Sequence, residues 1–218
     1  RISEDSAREI GEAFKNAGMT LSLHAPYFIS LSGTDEEKRL NSINYILASA
    51  KAAKAMGAQR IVIHSGSCAK ISREEALELA KDTMKKARAA LIAEGLEDII
   101  CCPETMGKVN QLGTLEEVIE ICKIDDTFLP TVDFGHLNAR TFGGIKTKQD
   151  YADMLDKLEN GLGIERARKF HSHFSKIMFT EKGGEKMHLT FSDNQGYGPD
   201  YEPLMELIAE RDWSPTFI

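Results

Sequence analysis

A chain of 218 residues, 42% hydrophobic and 28% charged, has the size and composition of one globular domain with a substantial core. Its formal charge of -7 excludes a protein that coats nucleic acid by bulk positive charge, while leaving room for a local cationic or metal-bearing site. No apolar run approaches the roughly 18 residues of a membrane span, and the opening Arg-Ile-Ser-Glu-Asp is not a secretory signal, so no membrane partner is expected.

Residues 4–17 read as an amphipathic helix with Ile10, Ala13 and Phe14 on one face and Gly18 as its stop. Residues 19–24 read as a strand ending at His24-Ala25-Pro26-Tyr27. Thr34-x-x-Glu37 has the form of a capping box and opens a long helix that Gly57 terminates. A second strand, 60–64, ends at His64. Ser72-x-x-Glu75 caps a further long helix that runs to about Gly95, and the strand 99–104 ends on Glu104. Thr114-x-x-Glu117 opens the next helix. The apolar run 129–134 then rises to Asp133, with His136 three residues on. A helix near 148–160 precedes the strand 169–174, which carries His171 and His173. A loop rich in glycine and charge follows, with Glu185 and His188. Gly196-Tyr197-Gly198-Pro199-Asp200 reads as a turn into a helix near 201–211, and 215–218 as a last strand.

Strand and helix alternate throughout without a Pro/Gly-rich linker, which is the pattern of a parallel sheet with crossover helices. No glycine-rich phosphate loop follows any strand, so a (β/α)8 TIM barrel fits better than a doubly wound sheet. Such a barrel needs about 250 residues. Because the chain opens on a helix and closes on a strand, the reading is of residues 1–218 as one barrel domain of about six strands, lacking the first strands and the end of the last.

The chemistry lies at the strand ends. All six histidines fall at or just after a strand end, together with Glu104, Asp133 and Glu185. Nitrogen and oxygen donors of this kind suit zinc or a similar divalent ion. A lone strand histidine is more often packed or solvated than ligating, but independent placement explains six such positions poorly. Cys68, Cys101, Cys102 and Cys122 form no CxxC pair and read as buried reduced thiols of a cytoplasmic protein rather than as ligands.

The pieces His24-Ala-Pro-Tyr27, His64-Ser-Gly-Ser67, Pro103-Glu104-Thr105, Val132-Asp133-Phe134-Gly135-His136, Phe170-His171-Ser-His173 and Gly184-Glu185-Lys-Met-His188 resemble, in order, those of the endonuclease IV family. That resemblance implies a TIM barrel that hydrolyses the phosphodiester 5′ to abasic sites in double-stranded DNA, in base excision repair. It implies two to three zinc ions per chain, with manganese as the alternative metal, and a monomeric enzyme. His24 and His64 would hold one ion, with Glu104 bridging to a second held by Asp133 and His171. His136, Glu185 and His188 would hold a third. Glu104 would also be the catalytic carboxylate that orients the attacking water.

The chain departs from the family in the third-site loop, where Glu185 stands three before His188 instead of two, and His173 is a substitute ligand. The family's glutamate after the last strand lies beyond Ile218. Tyr27 is placed at the mouth of the pocket, against DNA or the flipped sugar, or else is an ordinary loop aromatic. Lys108, Asn110 and Gln111 are candidate phosphate contacts, or else a solvated loop. Two other classes remain: a sugar isomerase or epimerase of the xylose-isomerase-like barrels with a divalent metal, and a metal-binding barrel without catalysis. The histidine count favours the nuclease.

Overall fold

Side chains alternate across a strand, so a strand buried on both faces needs an apolar neighbour on each side, and the alternating helices supply the outer one. The computed structural model describes residues 2–218. In chain order the elements are α1 (Glu4–Asn16), β1 (Ser22–His24), α2 (Glu36–Met56), β2 (Arg60–His64), α3 (Arg73–Ala93), β3 (Ile100–Glu104), α4 (Leu115–Cys122), β4 (Thr131–Asp133), α5 (Phe134–Arg140), α6 (Lys148–Leu162), α7 (Ile164–Ala167), β5 (His171–His173), β6 (Lys176–Thr180), β7 (Gly184–Leu189), α8 (Glu202–Glu210) and β8 (Thr216–Phe217). Six strands form one parallel sheet in the order β1-β2-β3-β4-β5-β8, and β6 pairs antiparallel with β7. The sheet curls into a half-barrel of the TIM type.

The alternation decides what faces where. Ile61, Ile63 and Cys101 turn outward into a core shared with α2, α3 and α4. Val132 and Phe170 turn outward into a second core with α6 and α8. The inner face receives the other parity, with Val62 and Cys102 buried in a small cluster of their own. His64 is two residues beyond Val62 and Glu104 two beyond Cys102, so both ligand candidates lie on this inner face at the C-terminal ends. Register completes the arrangement: His64 is opposite Glu104, and Asp133 opposite His173.

Helix starts follow their side-chain caps. Ser72 accepts from the Glu75 N–H, and Thr114 forms a reciprocal capping box with Glu117. The α2 cap is Asp35, which accepts from the Lys38 N–H, one residue beyond the expected Thr34. Asp and Thr compete for the same role, and the carboxylate also favours the positive end of the helix.

Two expectations change. Only Thr131–Asp133 of the run 129–134 pairs as strand. Phe134 already opens α5, with Asp133 as its cap accepting from the His136 N–H at 2.8 Å. The stretch after His173 is a hairpin, not a loop. Its strands are largely exposed on one side and lack a clean apolar alternation, and the glycines 183 and 184 that signalled a loop form its turn, with Gly184 at φ 75°.

The hairpin sits on α5 through Gly135. A Cβ there would meet the Ser175 carbonyl oxygen and lie 2.9 and 3.0 Å from two carbons of Ile177. In a helix, Gly→Ala ordinarily stabilises by up to about 1 kcal/mol. Gly135→Ala is expected to do the opposite, lowering the urea midpoint and speeding proteolysis within residues 176–189. An unchanged or raised midpoint would refute this account of hairpin docking.

Candidate metal centre

Glu104 ends β3 with its side chain only 1% exposed, inside a ring of imidazoles. His24 Nε2 is 3.1 Å and His64 Nε2 3.4 Å from its Oε2, and His173 Nδ1 is 2.6 Å from its Oε1. Burying a carboxylate costs several kcal/mol unless it is paired and hydrogen-bonded. Burial alone would push the Glu104 carboxyl up, but His173, His24 and His64 hold it well below the usual carboxylate range. The same contact raises the His24 imidazole, against the opposing effect of burial.

Asp133 and His136 come from the β4–α5 junction. The Asp133 amide donates to Thr105 Oγ1 at 2.9 Å, and His136 Nδ1 lies 2.8 Å from the Thr105 carbonyl oxygen. Burial and the Glu104 charge raise the Asp133 carboxyl, against His136. Burial disfavours the His136 cation, but Asp133, Glu104 and Glu185 together raise its pKa. The hairpin adds Glu185, whose Oε2 is 3.5 Å from His136 Nε2 and whose Oε1 is 3.7 Å from His188 Nε2. Ser175 Oγ, 2.8 Å from His188 Nδ1, steadies the far side of that ring.

Three donor groups result, each with ligand atoms within 4.8 Å of one another: His24, His64 and Glu104; Glu104, Asp133 and His173; His136, Glu185 and His188. Tautomers decide whether they fit a cation. A carbonyl oxygen can only accept, so His24 Nδ1, 2.7 Å from the Ala25 carbonyl, carries the proton. The neutral ring then aims the Nε2 lone pair at Glu104 Oε2, and two lone pairs at 3.1 Å need a proton or a cation between them. His136 repeats the arrangement through Thr105, leaving Nε2 toward Glu185. Imidazoles fixed by a backbone carbonyl behind and facing carboxylates ahead are a donor set suited to a divalent ion such as zinc.

The structure brings together His24, His64, Glu104, Asp133, His136, His173, Glu185 and His188 around one cavity of about 380 Å³, with Tyr27, Lys108 and Gln111 also on its wall. Tyr27 is 80% exposed. Asn110 does not line the cavity; its carbonyl accepts from the Cys68 N–H in the loop behind. His171 is the larger departure. It shares the inner face with His173, as the spacing of two requires, but about 6.6 Å further down the strand. There it pairs with Thr131, one layer below the cluster, and both ring nitrogens lack a partner among the described residues. His173, not His171, supplies the imidazole beside Glu104 and Asp133. Thr105 and Ser175, which orient side chains of the donor groups, had no assigned role in the sequence; Thr105 was visible only as the residue after Glu104. Burial pushes the thiols of Cys101 and Cys122 far up and that of Cys102 to about 12, and none joins a donor group.

A wider cleft of about 690 Å³ opens between α1, the start of β1, Arg60 and Thr216, and it holds none of the three donor groups. Among the described residues, no helix is long and apolar enough to cross a membrane.

A family model described as xylose isomerase-like TIM barrel matches residues 1–218. An uncharacterized protein of Methanocaldococcus jannaschii is 32% identical over 217 residues, covering 100% of this chain and 76% of that protein. Probable endonuclease 4 of Mycoplasma pneumoniae is 26% identical over 215 residues, covering 96% of this chain and 70% of the relative. Among solved structures, a D-tagatose 3-epimerase-like protein superposes with a TM-score of 0.75 at 21% identity, covering 99% of this chain and 75% of that one.

The buried, unpartnered His171 makes a testable demand on stability. Burial lowers its pKa from 6.5 to about 4, so between those values the unfolded chain takes up a proton that the folded chain refuses. Stability of the metal-free protein is therefore expected to fall as pH drops from 6.5 toward 4, by about 3 kcal/mol from this group. His171→Leu should flatten that part of the urea-stability profile, and an unaltered slope would show that the ring is not buried neutral.

Proposed function

The chain belongs to the xylose isomerase-like TIM-barrel family, and from that premise we propose that it is a divalent-metal-dependent phosphodiesterase that cuts DNA 5′ to abasic sites. The observation that carries the reading is the ring of donors itself: five imidazoles and three carboxylates in three adjoining groups that share one cavity. A single-metal proton-transfer site has no use for the third group, whereas a charged phosphodiester undergoing in-line displacement has both an attacking and a leaving oxygen to stabilise. The identity to a probable endonuclease 4 supports the same reading.

His24 and His64 with Glu104, and Asp133 and His173 with the same Glu104, would hold two ions; His136, Glu185 and His188 would hold a third. Zinc fits the nitrogen-rich set, with manganese as the alternative. Such ions supply Lewis-acid stabilisation of a phosphodiester and water acidified toward neutral pH. The chain's own groups do the rest. Glu104 stays ionised although buried, because three imidazoles face it, so its oxygens accept rather than donate and can orient a water. Lys108 and Gln111 line the cavity wall and would contact the phosphates of a strand entering it. Tyr27 presents an exposed ring at the mouth, suited to packing on a sugar that has left the duplex. That extrusion costs least where the base is already lost.

The alternative is a sugar epimerase, and its support is the fold likeness to the epimerase-like protein. One assay separates the two. Zinc-loaded protein is expected to nick a duplex with a single abasic site on its 5′ side, leaving a 3′-hydroxyl. Chelation should abolish the nick, and His64→Ala should lower kcat/KM by about 100-fold or more. An intact duplex, with interconversion of ketohexose epimers in the parallel reaction, would sink the nuclease reading in favour of the epimerase.

A further inference from the structure

The loop 106–113 does more than present Lys108 and Gln111. It is a template against which the hairpin lies: the Glu185 N–H donates to the Gly107 carbonyl at 3.0 Å, the Val109 N–H donates to the Gly183 carbonyl at 3.2 Å, and Lys108 bridges Gly184. A Cβ on Gly107 would lie 2.6 Å from Glu185 Cβ and 3.0 Å from His136 Cδ2, so loop backbone and ligand side chains are in direct contact. Wherever the loop goes, Glu185 goes with it.

Two guanidinium groups fix the loop from beneath. Arg140, the last residue of α5, donates from Nη1 to the Met106 carbonyl at 2.6 Å and from Nη2 to the Gln111 carbonyl at 3.3 Å. Arg73, the first residue of α3, donates to the carbonyls of Val109 and Gln111, each at 3.1 Å. Arg73 also grips Glu117 through two bonds of 2.7 Å, and Glu117 Oε2 accepts the amides of Gly113 and Thr114. Two like charges converge on the Gln111 carbonyl, and one of them, Arg73, is paired with Glu117. Burial and Arg73 both work against the Arg140 cation. A plain surface loop does not require such an arrangement; a loop that must hold one conformation does.

We infer that Arg140, with Arg73, is a positioning residue for the His136, Glu185 and His188 group: it locks loop 106–113, and through the Gly107 to Glu185 hydrogen bond the loop sets where Glu185 stands. This rests on reading that group as a metal site, and its consequences are local. The His24, His64 and Glu104 group is built on strand ends, and the loop meets its surroundings only beyond His64, where the Leu112 N–H donates to the Gly66 carbonyl at 3.2 Å and the Cys68 N–H to the Asn110 carbonyl at 3.0 Å.

Arg140→Met tests it, with Arg140→Lys as the conservative partner; lysine keeps the charge but cannot fork to two carbonyls. In the metal-free protein, hydrogen exchange should speed up in Arg140→Met at the amides of Val109 and Glu185 and remain unchanged in β2 and β3. Zinc titration should show the ion that is lost in His188→Ala binding tenfold or more weakly in Arg140→Met, with Arg140→Lys intermediate. The affinity lost in His64→Ala, retained at its wild-type value, certifies that the variant is folded. Equal affinity for the hairpin ion in wild type and Arg140→Met, with unchanged exchange, overturns the inference. Wild-type protein that binds no ion dependent on His188 overturns the metal reading of this group first, and the inference with it.

Discussion

Everything at the top of this barrel is arranged around one buried carboxylate. Glu104 is held ionised at 1% exposure by nitrogens of His24, His64 and His173, which arrive from three other strands. A carboxylate in that position is expensive unless every partner is in place, so the requirement falls on the register of the sheet. His64 opposite Glu104, His24 opposite Val62 and Asp133 opposite His173 are not separable details. A slip of one residue in any of these strands would turn its donor side chain outward into the helix layer. The outward apolar residues Ile61, Ile63, Cys101 and Val132 prevent that slip, because they would turn inward at the same moment. Core packing and site geometry are enforced by the same alternation.

That coupling explains how much of the site could be read from the sequence. Strand ends, the caps at Ser72 and Thr114 and the barrel class followed from apolar runs, Ser/Thr caps and glycine stops, all of which act over a few residues. His24, His64, Glu104, Asp133 and His136 were legible for the same reason: each closes a strand or opens the segment after it. The choice between His171 and His173 was not. Parity puts both on the inner face, and only the stagger between β4 and β5 shows that His173 reaches the top layer while His171 stops a layer lower against Thr131. Stagger is a property of neighbouring strands, and no window on one of them contains it. The hairpin was hidden differently. Its strands have one exposed side and little apolar patterning, and what holds them is the backbone of loop 106–113, with Gly107 78 residues before Glu185 and Val109 74 before Gly183, and the close approach of Ser175 and Ile177 to Gly135. Asn110 stands in the same loop but outside the cavity lining, because loop membership says nothing about which way a side chain faces.

The donor groups accordingly differ in mechanical support. Those around Glu104 stand on strands whose backbone bonds are fixed by the sheet. The His136, Glu185 and His188 group takes one member from a helix start and two from the hairpin, whose hold on the barrel is a few hydrogen bonds and the contact of Gly135. Loops and hairpins carried on a rigid scaffold are where members of a fold most easily diverge. The three-residue spacing of Glu185 and His188 fits that picture. On an isolated strand those two side chains would point to opposite faces, yet here both reach His136. The register of β6 and β7 is shifted between Met178 and Phe179, and that irregularity lies within the span that separates the pair.

Charge gives the last constraint. Net -7 is a poor starting point for a protein proposed to hold DNA, and the cavity itself contributes three carboxylates, Glu104, Asp133 and Glu185. Without metal, the attraction available to a phosphodiester there is that of Lys108 and of whatever protons the imidazoles hold. Three divalent ions would bring six positive charges against those three negative ones and reverse the sign of the site. Under the proposed function the ions therefore do two jobs that a basic protein would divide between metal and surface: they activate the chemistry, and they create the positive potential that admits the backbone at all. A globally acidic chain with this site would hold nucleic acid where metal is bound and repel it elsewhere, which confines binding to the place where a strand can be cut.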